Sequence, residues 1–228
     1  AAHLWDCIPS KTMAASALRH TSVRKAAKLG LVTDPGQVDT DVLASRIHDI
    51  TRDINRNWVE MLRSQGVTIL QGTGRFEGPN TVVVTAPDDE ETRVHFEKAM
   101  ISTGSAPRVP EWAPVDGERV LTTRHMYDLD AVPEHLVVIG SGVTGVEFVH
   151  IFESLGSKVS LVVSRQQILP HRDAEVAAVL EEDFIERGVS LIIGARARQI
   201  DVTDDGVAVV CNDGRVIRGS HALLAVGS

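Results

Sequence analysis

Residues 135–140, His-Leu-Val-Val-Ile-Gly, form an unbroken apolar run, as a parallel strand buried on both faces requires. A helical pattern over about 142–155 follows. A second apolar run, Lys-Val-Ser-Leu-Val-Val-Ser, occupies 158–164, and a further helical pattern covers about 173–187. Val-Ser-Leu-Ile-Ile-Gly at 189–194 closes the series. The alternation predicts a βαβαβ unit and an α/β fold. Residues 206–219 read as a hairpin with Asn212, Asp213 and Gly214 in the turn. His-Ala-Leu-Leu-Ala-Val-Gly at 221–227 reads as a last strand.

The first half carries other periods. From Pro9 the pattern is helical, with Pro favoured at a first helical position. Met13, Ala17 and Leu18 line one face, Arg19, Arg24, Lys25 and Lys28 read as a solvated face, and Leu29-Gly30 ends the helix. Leu43, Ile47, Ile50, Ile54, Trp58 and Met61 recur every three or four residues. They predict a second amphipathic helix over about 39–65, with Gly66 as its C-cap. Strand patterns follow at 67–72 (VTILQG), 81–86 (TVVVTA) and 92–99 (TRVHFEKA), with an exposed hairpin turn at 87–91. A Pro-bearing stretch through Pro114 reads as a linker. No internal repeat and no low-complexity tract occurs.

Composition narrows the function classes. The 228 residues carry a net charge of −8, which argues against a nucleic-acid partner. Two cysteines, Cys7 and Cys211, exclude a disulfide scaffold and fit a reducing, cytoplasmic setting. No apolar run reaches the roughly 20 residues of a membrane span. His125, His150 and His171 lack metal-ligand spacing, so no metal site is expected. The opening Ala-Ala-His-Leu-Trp has neither a basic region nor an apolar core, so no signal peptide is expected. The first residue is not Met and the last follows directly on a strand pattern, so both ends read as cut from a longer chain.

Ile-Gly-Ser-Gly-Val-Thr-Gly-Val-Glu places Gly140, Gly142 and Gly145 in G-x-G-x-x-G spacing between a strand and a helix, the context of a dinucleotide phosphate loop. Gly140 permits the turn, Gly142 admits the pyrophosphate, and Gly145 lets the helix approach the strand. The N–H groups of Ser141, Val143, Thr144 and Val146 lie where the helix dipole attracts an anion. Glycines that only shape a tight turn are the plainer alternative. At the end of the second strand an NAD site usually carries Asp or Glu for the ribose 2′-hydroxyl. Here stand Val163, Ser164 and Arg165, and Arg165 suits a 2′-phosphate. NADP(H) is favoured over NAD(H), with use of both left open and a plain surface arginine as the alternative.

Cys-Ile-Pro-Ser-Lys (7–11), Ser-Thr-Gly-Ser-Ala-Pro-Arg-Val-Pro (102–110) and Val-Val-Ile-Gly-Ser-Gly-Val-Thr-Gly-Val-Glu-Phe (137–148), in that order, resemble the pyridine nucleotide–disulfide oxidoreductases. The resemblance implies a two-dinucleotide-binding (FAD/NAD(P)) Rossmann-like flavoprotein fold, incomplete at both ends. Residues 1–114 would be part of the FAD-binding domain and 115–228 a nearly complete NAD(P)-binding domain. A homodimer of the full-length protein is also implied.

The family's redox pair is Cys-x4-Cys. Ala2 stands where the partner of Cys7 belongs, so the dithiol relay is missing. In this the chain is most similar to the NAD(P)H–quinone reductase branch. Lys11 matches the lysine beside the flavin ring, where a cation stabilises reduced flavin, and Glu147 the glutamate that pairs with it. Cys7 would lie over the ring. Thr103, Gly104 and Ser105 match a FAD-contacting triplet, and Gly74 a backbone contact at the adenine end. Gly227 matches a contact near the nicotinamide, and Val143 replaces a gating tyrosine of several relatives. The implied activity is hydride transfer from NAD(P)H to FAD, then electron transfer to a small quinone-like acceptor. A dihydrolipoyl dehydrogenase-type disulfide reductase and a non-catalytic dinucleotide-binding module are the alternatives.

Overall fold

A computed structural model describes every residue except Ala1, Thr33 and Pro35, and the side chains of Ala2 and His3 are likewise undescribed. Two compact units result: Ala2–Thr51 with Ser105–Ser228, and Arg52–Gly104.

The larger unit is built on a five-stranded parallel sheet. Its strands are β4 (Val120–Thr122), β5 (His135–Ile139), β6 (Lys158–Val163), β7 (Ser190–Ile193) and β11 (His221–Leu224), ordered β4-β11-β5-β6-β7. Helix α4 (Val143–Leu155) connects β5 to β6, and α5 (Ala174–Glu186) connects β6 to β7. The alternation seen in the sequence is therefore a βαβαβ unit. Strand β4 is only three residues long, too short to give a readable period, and lies in a stretch with no sequence prediction.

The apolar strands serve two cores because alternate side chains leave opposite faces. Leu136 and Val138 of β5 join a cluster with Met13, Ala17, Leu43, Ile47, Phe148 and Phe152. Val137 and Ile139 join a second cluster with Ile200, Val207, Val209 and Cys211. The helical face includes α2 (Cys7–Lys25) and the first half of α3 (Thr40–Ser64). The other face is covered by an antiparallel meander of β8 (Ala197–Thr203), β9 (Gly206–Cys211) and β10 (Val216–Gly219). The predicted hairpin over 206–219 is β9–β10, and β8 is its unpredicted third strand.

Helix α2 follows the short α1 (Ala2–Trp5) and begins at Cys7. Pro9 is thus its third residue rather than its first, still in the turn whose N–H groups have no intrahelical acceptor. The helix tightens into a 3₁₀ turn over Ala26–Leu29 and stops at Gly30, which is left-handed at φ +77°. Met13 and Ala17 are buried, but Leu18 is 55% exposed. Arg24 is not merely solvated, since its Nη1 donates to the Glu153 carbonyl at 3.0 Å. In α3, Leu43 and Ile47 are buried while Trp58 and Met61 are 54% and 46% exposed.

The smaller unit holds the rest of α3 and a three-stranded antiparallel sheet of β1 (Thr73–Gly78), β2 (Thr81–Thr85) and β3 (Glu91–His95). The predicted strand at 67–72 is not one. Pairing begins only where Thr73 meets Thr85, and an apolar run without a pairing partner is not a strand. The turn at 87–91 is present, with Asp89 left-handed at φ +65°.

Candidate active site

The β5–α4 connection carries the glycine loop. Gly140 has φ +112°, and a Cβ there would lie 2.3 Å from the Ala225 carbonyl oxygen. At Gly145 a Cβ would lie 1.9 Å from the Gly140 oxygen. Neither position admits a side chain, so α4 can run close against the β5 and β11 ends. A Cβ on Gly142 would meet open space. Gly142 caps α4 in an extended conformation with no side-chain hydrogen bond, which leaves first-turn N–H groups available to an anion.

These groups border a cavity of about 800 Å³ that also includes Ser164, Arg165, Ala225 and Gly227. Arg108, Arg172, Arg196 and His171 line it too, and no carboxylate does among the described residues. Among the described residues, no hydrogen bond or ion pair engages the guanidinium of Arg108, Arg165, Arg172 or Arg196. In a chain of net charge −8, four unpaired guanidiniums around one cavity are an anion site. Only Arg165 was legible in advance, from its place at a strand end. Arg108, Arg172 and Arg196 arrive from three other segments.

The second assembly lies at the start of α2. The Lys11 ammonium forms an ion pair with Glu147 Oε1 of α4. The Ser10 hydroxyl donates to the same Glu147 oxygen at 3.2 Å and accepts from Lys11 Nζ at 3.4 Å. Ser10 is 5% exposed, so its polar group must be satisfied inside the protein. A cavity of about 350 Å³ is bordered by Asp6, Cys7, Ser10, Lys11, Ser105, Tyr127, Thr144, Glu147 and Gly227. Cys7 is exposed and free, while Cys211 is buried in the meander. Burial raises the Cys211 thiol above its ordinary value, so it is an inert core group.

Tyr127 was missed in the sequence because a lone aromatic between two short elements carries no period. Burial above all, then the negative charges of Asp6, Glu147 and Cys7, raises its phenol well above the usual tyrosine range. The neighbouring Ser10 hydroxyl opposes the rise.

Of the remaining sequence candidates, Val146 lies half-buried in the first turn of α4, and its N–H, expected to face an anion, instead donates to the Gly142 carbonyl at 3.0 Å and closes the first turn of the helix. Val143 is 61% exposed and lines both cavities. Gly74, Thr103 and Gly104 belong to the smaller unit, Gly74 in β1 opposite Val84. His125 is a structural cap, its Nδ1 accepting the Thr122 N–H at 2.9 Å. His150 meets Arg187 at 3.0 Å, and burial, then that cation, lowers its pKa. Among the described residues no cluster of His, Cys, Asp or Glu has the makings of a metal site.

A glycine loop over an arginine-rimmed cavity, with a lysine–glutamate pair beside its helix, defines a dinucleotide-dependent oxidoreductase architecture. The chain belongs to the pyridine nucleotide-disulphide oxidoreductase family, whose match covers residues 1–228. It is 40% identical over 236 residues to an NAD(P)H dehydrogenase (quinone) of Mycobacterium tuberculosis, covering 100% of this chain and 48% of that protein. A dihydrolipoyl dehydrogenase of Zymomonas mobilis is 30% identical over 227 residues, covering 98% and 49%. The crystal structure of LpdA from M. tuberculosis superposes with a TM-score of 0.91 at 40% identity, over 99% of this chain and 50% of that one. The chain thus spans about half the length of the relatives it matches. No helix among the described residues is long and apolar enough to cross a membrane.

Proposed function

We propose that this chain is the nicotinamide-binding and flavin-facing part of an FAD-dependent NAD(P)H dehydrogenase that passes electrons to a quinone-like acceptor. The observation that carries the reading is the Lys11–Glu147 pair set between the glycine loop and a cysteine with no disulfide partner. It is supported by the likeness to the quinone-reducing relative. Residues 1–114 are read as part of the FAD domain and 115–228 as the NAD(P) domain. The full-length protein is read as a cytoplasmic homodimer.

The residues fit the two cofactors. Gly142 and the free N–H groups of α4 receive the pyrophosphate of NAD(P)H, with Ser141 and Thr144 beside them. Arg165, with Arg196 and Arg172 on the same cavity, receives a 2′-phosphate, so NADPH is used at least as well as NADH. Lys11 serves the flavin, with Cys7 and Ser105 on the same cavity. Bound flavin supplies the chemistry, taking a hydride and returning electrons singly or in pairs. Lys11 stabilises the negative charge that reduction brings, and Glu147 fixes the direction of the lysine. Val143 leaves the nicotinamide entrance open.

A lone Cys7 cannot form the thiol pair that disulfide reduction requires. Full-length flavin-loaded enzyme is therefore expected to reduce a soluble quinone with NAD(P)H and to give no turnover with lipoamide or glutathione disulfide. Steady-state assays with each acceptor check this, and efficient lipoamide turnover would falsify it. For the coenzyme, Arg165→Ala is expected to lower kcat/KM for NADPH about tenfold or more, the size of a lost charge-assisted contact, with NADH little changed. A strong NADH preference that the variant leaves intact would remove the phosphate assignment.

A further inference from the structure

Residues 194–196, between β7 and β8, are held from two sides. Toward β6, the Gly194 N–H donates to the Arg165 carbonyl at 3.0 Å and the Ala195 N–H to the Val163 carbonyl at 3.1 Å. Toward the meander, the same segment meets the turn between β9 and β10. The Arg196 N–H donates to Asn212 Oδ1 at 2.9 Å, and the Asn212 N–H donates to the Arg196 carbonyl at 2.9 Å. Arg215 Nη2 donates to the Ile193 carbonyl at 2.8 Å and is itself paired with Asp213. The Arg196 N–H and carbonyl belong to the two peptide planes that flank its Cα, and each plane is rigid. One asparagine therefore fixes the direction in which the Arg196 side chain leaves the backbone. Ala195 before it is fully buried, which anchors the segment from the core side. Arg196 lines the coenzyme cavity, as Arg165 does, whereas Asn212 does not.

We infer that Asn212 is a positioning residue for coenzyme choice, holding Arg196 so that its guanidinium and that of Arg165 take a 2′-phosphate between them. The inference rests on the NADPH reading above and gives it a residue from the meander, which that reading does not use. A phosphate has oxygens enough for two guanidiniums, and each pair is a charge-assisted contact. Arginine is long and loses much rotamer freedom when it is ordered on a ligand. A root fixed in advance lowers that cost, and here two roots are fixed together. The Arg165 carbonyl is bonded to Gly194, two residues before Arg196, so the two arginines start from backbone tied into one frame. Asn212 closes the frame from the other side. Its plainer role is that of a turn former, which asparagine fills well. A turn former would steady the meander without regard to what the cavity holds, and the test separates the two roles.

Calorimetric titration of the full-length flavin-loaded enzyme with adenosine 2′,5′-bisphosphate and with 5′-AMP provides it, since the two differ only in the 2′-phosphate. Asn212→Ala is expected to weaken the bisphosphate about fivefold, the size of one lost hydrogen bond, and to move 5′-AMP by less than about twofold. Arg196→Met is expected to weaken the bisphosphate about tenfold or more, the size of a lost charge-assisted contact. In that background Asn212→Ala should add nothing, because its effect runs through the arginine. Asn212→Asp keeps an acceptor for the Arg196 N–H and suits the turn if the alanine variant does not fold. It should retain more of the preference for the bisphosphate than Arg196→Met does. An equal loss of both ligands in Asn212→Ala, or a loss undiminished in the Arg196→Met background, makes Asn212 a turn former and overturns the inference. So does an Asn212→Ala protein that binds both ligands like the wild type, or an Asn212→Asp protein as indifferent to the 2′-phosphate as Arg196→Met. Wild-type enzyme that binds 5′-AMP and the bisphosphate equally brings down the 2′-phosphate reading itself, and the inference with it.

Discussion

The two units use similar sequence material to different ends. In the larger one, apolar residues of the sheet and helices close on each other: Leu136, Val138, Phe148 and Phe152 are at most 1% exposed. In the smaller one, Trp58, Phe76, Met100 and Ile101 are 54%, 49%, 90% and 70% exposed, and of its three strands only Val83 is fully buried. An apolar pattern states which face wants a partner, and only the partner makes it a core. The chemistry assembled from described side chains, the glycine loop, the arginine rim and the Lys11–Glu147 pair, lies entirely in the larger unit.

The contrast is sharpest for one aromatic in each unit. Phe148 is 1% exposed and touches Tyr127 and Phe152. Phe148→Ala is expected to cost about 3–5 kcal/mol, the transfer energy plus an unfilled cavity. Phe76 is half exposed and makes one edge-to-face contact with Phe96 at 5.9 Å, so Phe76→Ala should cost about 1 kcal/mol. Denaturant unfolding of both variants measures the difference. Equal losses would break the comparison and mean that the smaller unit carries a core of its own.

That division also accounts for what the sequence made legible. Val137, Ile139 and Val162 read as parallel strands because burial on both faces leaves no polar period to confuse them. The strand expected at 67–72 failed on the same logic, since Val67 and Leu70, at 44% and 42% exposed, find no strand to pair with among the described residues. Trp58 and Met61 continue a faithful helical stripe but stay 54% and 46% exposed. In the site, Lys11 and Glu147 were found only through motifs 136 positions apart in sequence. Gly140 to Gly145 were found through spacing. Ser10 stood inside a motif without a role, and Tyr127, Arg172 and Arg196 belonged to no motif. Side chains brought in singly by loops carry no period, and only the fold gathers them.

A pair of glycines gives the next test. An added Cβ at Gly145 meets the Gly140 backbone oxygen at 1.9 Å, whereas at Gly74 it meets only the Val82 Cγ1 at an ordinary 3.5 Å. Backbone cannot turn aside as a flexible side chain can, so Gly145→Ala must push α4 off the sheet. A loss of about 1–3 kcal/mol is expected, together with weaker NAD(P)H binding as the first turn leaves its place. Gly74→Ala should change stability by no more than about 0.5 kcal/mol. Thermal unfolding and coenzyme titration of both variants decide this, and a Gly145→Ala protein that binds NAD(P)H normally would show that the loop does not hold the phosphate.

The smallest contrast is between two carboxylates. Asp116 Oδ1 in the larger unit accepts backbone N–H bonds from Glu118, Arg119 and Val120 at 2.9, 2.8 and 2.8 Å. Burial raises its pKa, but the three donors outweigh burial and hold the carboxyl below its usual value. Glu77 in the smaller unit is also lowered, through its hydrogen bond to Arg93, yet this pair is on the surface, where screening leaves little net stabilisation. A carboxyl with a depressed folded pKa contributes stability above its unfolded pKa of about 4 and loses it as pH falls through the folded value. Asp116→Asn is therefore expected to cost about 1 kcal/mol or less near neutral pH, the net worth of hydrogen bonds to a charged acceptor partly open to water. The gap should close as the wild type is acidified below about pH 4. Glu77→Gln should show no such gap at either pH. Melting temperatures of wild type and both variants across that range measure it. A Glu77 effect as large as that of Asp116 would mean that rigid backbone donors, which belong to the larger unit's loops, count for no more than a mobile surface arginine.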